Sequence, residues 1–158
     1  MKKQEGENKK IKNATPFEYK GVRYRSKLEA SCAKMFDELG INVEYEKHTF
    51  ELIPKRTYLG EDFNPVTYTP DFVGDSFIIE CKGFPNDRWP VIKKLFVQYI
   101  EVSKLNKKFF EVGSLSELKA AIIQAQTGLI EEWRPVVGFG DLYEVSNYGN
   151  VRSIQFHG

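Results

Sequence analysis

At 158 residues the chain suits one compact domain with room for a small appendage. Its apolar share of 41% is enough for a hydrophobic core, while no run of eighteen apolar residues exists to span a membrane. The net charge of +1 hides an uneven spread, with nine Lys or Arg against three acids in 1–28, four against eleven in 29–80, seven against two in 82–108, and three against six in 109–158. An acidic middle between basic flanks suits a metal-binding pocket set in a phosphate-binding surface. Ordinary charge scatter explains it equally well. The start, MKKQEGENKK, has no apolar stretch behind its charges and does not read as a secretory signal. Cys32 and Cys81 show no metal-ligand spacing and read as reduced thiols of a cytosolic protein.

Residues 1–15 read as a disordered basic tail, because almost nothing apolar separates the charges. Phe17, Tyr19, Val22 and Tyr24 around Lys20-Gly21 predict a short hairpin. Leu28, Cys32, Met35, Phe36 and Leu39 recur at helical spacing, predicting a helix from Ser26 to Leu39 that Gly40 stops. Val43 to Ile53 reads as a strand and 54–67, with two prolines and a glycine, as a loop. Tyr68 to Val73 and Ser76 to Lys82 read as strands joined at Gly74-Asp75. In the second, Phe77, Ile79 and Cys81 face one way and Ile78, Glu80 and Lys82 the other.

Asp87 is placed to cap a helix with Pro90 in its first turn and a stripe of Ile92, Leu95, Phe96, Tyr99 and Val102. Lys107 to Val112 reads as a strand. Ser114 to Gln126 reads as a helix with a Ser114/Glu117 capping box. The order predicts an α/β fold, a mixed sheet flanked by helices, over residues 16–127. A boundary falls near 127–130, and 131–158 hold two glycine-punctuated, hairpin-like pieces that form a small β-rich appendage.

The informative feature is TPDF at 69–72 followed by IIECKG at 78–83. Hydrolysing a phosphodiester requires a polarised phosphate, an activated water and a stabilised leaving oxygen. Magnesium takes oxygen ligands, so Asp71 and Glu80 on neighbouring strands are suitable donors. Lys82 shares a strand face with Glu80, roughly 7 Å along, where its ammonium can orient water or neutralise charge.

Pro70-Asp71 and Glu80-Cys81-Lys82 resemble the signature of the PD-(D/E)XK nuclease superfamily. The likeness extends to Ser26 and Glu29 in RSKLEA, to Asp71-Phe72, to Glu80 through Gly83, and to Lys93-Lys94-Leu95-Phe96, as in phage-type, Holliday-junction-resolvase-like nucleases. It implies a restriction-endonuclease-like core, with Glu29, Asp71, Glu80 and Lys82 as catalytic residues. Asp71, Glu80 and Glu29 are then the ligands of Mg2+, with Mn2+ able to substitute. Arg25, Ser26, Lys93, Lys94 and Gln98 are the implied DNA contacts, the last three left open as alternatives for the scissile phosphate. Plainer readings exist: Ser26 and Glu29 also make a capping box, Asp71 follows a proline as a turn residue does, Glu80 and Lys82 could form a salt-bridged strand face, and Lys93 and Lys94 a solvated one.

Residues 131–154, EEWRPVVGFGDLYEVSNYGNVRSI, resemble the nuclease-associated DNA-binding motif of homing endonucleases. There Arg134, Asn147 and Arg152 are the side chains able to contact phosphate or base edges. No HNH-like context surrounds either histidine, so cutting is assigned to the N-terminal part. The two resemblances together predict a magnesium-dependent, site-specific homing endonuclease of phage or intron origin, acting on double-stranded DNA as a homodimer in the host cytoplasm. The alternatives are a Holliday-junction resolvase, and a non-catalytic DNA-binding protein.

Overall fold

The computed structural model describes residues 17–82 and 86–154. The basic tail, Gly83 of the E-x-K-G pattern and His157 lie outside the described residues. Phe17–Tyr19 (β1) and Val22–Tyr24 (β2) pair antiparallel through Lys20 and Gly21, both at positive φ. The helix Lys27–Glu38 (α1) follows, with Ser26 as its N-cap: the Ser26 hydroxyl accepts the Glu29 N–H at 3.1 Å.

The predicted strand from Val43 to Ile53 is broken into Glu44–Tyr45 (β3) and Phe50–Ile53 (β4). Glu46 adopts a left-handed φ of 47° and donates its N–H to the Asp71 carbonyl, which turns the chain between two partners. The predicted loop contains a hairpin, Arg56–Tyr58 (β5) with Glu61–Phe63 (β6), and then Val66–Tyr68 (β7), which pairs with β4. Pro70 has no N–H to give a ladder, and the predicted strand 68–73 is interrupted there. It resumes only at Phe72–Val73 (β8).

Phe77–Cys81 (β9) is the centre of the fold. It pairs antiparallel with β8 and parallel with Lys108–Val112 (β10), giving a mixed sheet ordered β10-β9-β8-β3. A parallel neighbour requires a crossover, supplied by the helix Trp89–Ser103 (α2). Asp87 does not cap α2. Asn86 does the work instead, its Oδ1 accepting the Trp89 N–H at 2.9 Å. Leu115–Thr127 (α3) begins with the predicted capping box: Ser114 accepts from the Glu117 N–H, and Glu117 accepts from the Gly113 N–H. It ends at Gly128, whose φ of 72° only glycine adopts at no cost.

The alternation along β9 divides the core in two. Phe77 and Ile79 pack with Cys32, Phe36, Phe72, Val112, Leu118 and Ile122 under α1 and α3. Ile78 packs with Tyr68, Val73, Trp89 and Phe96 under α2. Each fully buried Phe or Ile contributes about 1.5–3 kcal/mol relative to exposure. A one-residue slip of β9 would therefore exchange both cores at once. The appendage is a three-stranded antiparallel sheet, Trp133–Pro135 (β11), Tyr143–Ser146 (β12) and Val151–Ser153 (β13), in which the two hairpin-like pieces share β12. Among the described residues no helix is long and apolar enough to cross a membrane.

Candidate active site

Register places the acids. Phe72 pairs with Ile79 and Val73 with Ile78, so one step further brings Asp71 opposite Glu80. Across β10, Glu111 is the direct partner of Glu80. The Asp71 Oδ2 accepts the Cys81 N–H at 2.7 Å, which fixes its carboxylate against the end of β9.

Glu80 is 1% exposed, a position where a charge requires partners. The Tyr68 hydroxyl donates to its Oε2 at 2.6 Å and the Lys82 ammonium pairs with its Oε1 at 2.8 Å. Burial first, then the Glu80 charge, push the Tyr68 hydroxyl far above its ordinary pKa, so it remains a donor. Lys82 also lies over the Trp89 ring, 4.3 Å from its centroid. The Trp89 indole N–H donates to Glu111 at 2.7 Å, and Lys93 pairs with the same Glu111 oxygen at 3.1 Å.

Of the three open candidates on α2, Lys93 is therefore the one brought to the carboxylates. Lys94 is exposed on the next helical position, and Gln98 lines a groove between α2 and the β5–β6 hairpin. Arg25 is committed to Glu46 at 2.8 Å, and Ser26 to its cap.

Glu29 is buried, but it turns back on its own helix. Its Oε1 accepts the Ser26 hydroxyl at 2.8 Å, and its Oε2 accepts the Arg25 N–H at 3.1 Å and the Tyr45 hydroxyl at 2.7 Å. The sequence expects Glu29 to share an ion with Asp71 and Glu80, and in the fold its carboxylate is engaged by these three donors. Among the described residues no three His, Cys, Asp or Glu side chains are grouped to hold an ion. A two-carboxylate donor set still fits a hard dication, because magnesium commonly takes one or two protein carboxylates and completes its shell with water and phosphate oxygens.

Cys81 points to the opposite core, with its Sγ 3.6 Å from that of Cys32, and both thiols are free. The bond to Cys32 and burial raise the Cys81 pKa, which keeps the thiol protonated beside the acids.

Sequence reasoning missed Tyr68, Trp89 and Glu111. Glu111 had a signal, as a lone acid within the apolar run FFEV, but its pairing with Glu80 depends on a parallel register that no local pattern encodes.

In the appendage, Asn147 uses its carboxamide internally, accepting from the Glu132 N–H at 2.9 Å and donating to the Ile130 carbonyl at 3.1 Å. Arg152 pairs with Glu144 at 2.7 Å and stacks 4.2 Å from the centre of the Trp133 ring. Arg134 is the more exposed cation, its side chain 83% exposed and paired only at 4.0 Å with Glu132. Residues 131–157 match the family model of the NUMOD4 motif, a nuclease-associated module found with homing endonucleases. This carries a nuclease-associated, DNA-binding role for the segment. No curated protein and no solved structure matches the chain.

Proposed function

We propose that the chain is a magnesium-dependent DNA endonuclease of the PD-(D/E)XK kind, directed to its target by the C-terminal motif as homing endonucleases are. The observation that carries this reading is the placement of Asp71 opposite a fully buried Glu80 whose charge is met by Lys82. A merely structural ion pair is costly to bury and gains little over an apolar pair, so this arrangement favours a chemical use.

Asp71 and Glu80 would hold the ion, which when bound polarises the phosphate. Lys82 is held with its ammonium beside Glu80, where it can orient the attacking water and offset charge developing on the phosphate. Lys93 supplies a second cation at the Glu111 edge of the site. Glu29 frames the start of α1 and the Tyr45 hydroxyl rather than entering the donor set. Each active site cuts one strand, so a double-strand cut calls for two copies of the chain.

The test is incubation of the protein with supercoiled plasmid and with a synthetic four-way junction, in magnesium and in chelator. Plasmid cutting in magnesium alone is the expected result. Cutting confined to the junction would replace homing with branch resolution, and binding of both substrates without cutting would leave a DNA-binding protein.

A further inference from the structure

We propose that Trp89 is the positioning residue for Lys82, through the face of its ring. The inference rests on the nuclease reading for its catalytic consequence, though not for its geometry. A lysine has four rotatable bonds and loses considerable rotamer freedom when held in one place. Glu80 alone gives Lys82 one contact, to Oε1 at 2.8 Å, which leaves the ammonium free to swing about that oxygen. The Trp89 ring removes that freedom. Its π face lies 4.3 Å from the Lys82 Nζ, well within the range at which a cation is attracted to the ring, and indole is the strongest of the aromatic partners.

The ring is held at its N–H and by two aromatic neighbours, and the backbone that carries it is held as well. Its N–H is held by Glu111 at 2.7 Å. Its faces and edges meet Tyr68 and Phe109, at centroid separations of 5.6 and 6.3 Å. Its backbone N–H is capped by Asn86 at the first turn of α2. Tyr68 in turn donates to the same carboxylate that binds Lys82, so Glu80, Lys82, Trp89 and Tyr68 close a ring of contacts. Lys82 is left 15% exposed, consistent with an ammonium presented at the mouth of the site rather than withdrawn from it.

Loss of the aromatic face should cost roughly thirtyfold in the rate of the chemical step, the equivalent of a desolvated cation–π contact. The variants are Trp89→Leu, which removes the face, and Trp89→Phe, which keeps a face but drops the N–H to Glu111.

Two measurements are made on each full-length variant and on wild type. The first is the NMR shift of the Lys82 ε protons, identified by their absence in Lys82→Arg. An upfield ring-current displacement is expected in wild type, retained in Trp89→Phe and lost in Trp89→Leu. The second is single-turnover plasmid cleavage in magnesium, with duplex affinity measured in chelator. The expected result is a rate loss in Trp89→Leu at unchanged affinity, with most of the rate recovered in Trp89→Phe. A wild-type ε resonance at the ordinary lysine position would overturn the positioning role even if the enzyme cuts well. Full-rate cutting by Trp89→Leu would overturn it too. A ring-current shift in a wild-type protein that cuts no DNA would leave the contact intact and sink the nuclease reading, and with it the catalytic consequence proposed for Trp89.

Discussion

Replacing Tyr68 with Phe deletes one oxygen from the centre of the site. The ring remains packed against Phe96 and Trp89, at centroid distances of 4.7 and 5.6 Å, so no cavity opens. What is lost is the 2.6 Å bond to the Glu80 carboxylate, which at 1% exposure keeps Lys82 as its partner among the described residues. A hydrogen bond to a charged group contributes roughly 1.5–3 kcal/mol. For a chain of this size each kcal/mol moves the melting temperature by about 2–4 °C, so a fall on the order of 3–12 °C is expected in thermal denaturation followed by circular dichroism. The variant should also respond differently to alkali. The Tyr68 hydroxyl has a folded-state pKa above its ordinary 10.0, because of burial and then Glu80. Above that ordinary value the unfolded chain loses the proton and the folded chain retains it, so wild-type stability is intact below it and falls as pH rises. Tyr68→Phe should show a shallower fall between neutral and strongly alkaline pH. A variant that melts with wild type at pH 7 and loses stability with the same alkaline slope would refute the assigned bond.

Further outcomes follow from the same contacts. Lys82→Ala should slow plasmid cutting by about a hundredfold or more while sparing duplex affinity. It should also cost roughly 3 kcal/mol in urea denaturation, since it strands Glu80 without its counter-ion. Glu29→Gln tests the framing role. It should lower stability by about 1–3 kcal/mol yet retain cleavage within tenfold of wild type, and complete loss of cleavage in a folded protein would return Glu29 to the catalytic set. Arg134→Ala should weaken duplex binding and reduce the salt dependence of affinity by about one phosphate contact, whereas Arg152→Ala should act mainly on stability, because its guanidinium is already spent on Glu144 and Trp133.

The parts legible in the sequence were those that local chemistry fixes. Ser26 and Ser114 marked helix starts because a side-chain oxygen satisfies an otherwise orphaned N–H. Alternation in 77–82 separated the two core faces because side chains on a strand point to opposite sides. Asp71, Glu80 and Lys82 could be grouped because they share two adjoining strands. Long-range geometry was not legible. The break at Glu46 depends on the Asp71 carbonyl, 25 residues away. Residues 54–67 look like a loop because hairpin β5–β6 is exposed along its whole length and lacks the alternation that burial imposes. The resemblance pointed Glu29 toward the metal, whereas the capping box, also visible in Ser26-x-x-Glu29, describes what its carboxylate does in the fold. Arg152 and Asn147 were plausible DNA contacts by residue type alone, and only the folded appendage reveals that their polar atoms bond within it.

Metal-dependent cutting through Asp71 is tested by cleavage of supercoiled plasmid by wild type and Asp71→Asn in parallel, each with magnesium and with excess chelator, alongside duplex binding for both. Nicked or linear product is expected from wild type with magnesium alone, and none from Asp71→Asn despite intact binding. Equal cutting in chelator, or by Asp71→Asn, would contradict metal-dependent cutting through Asp71.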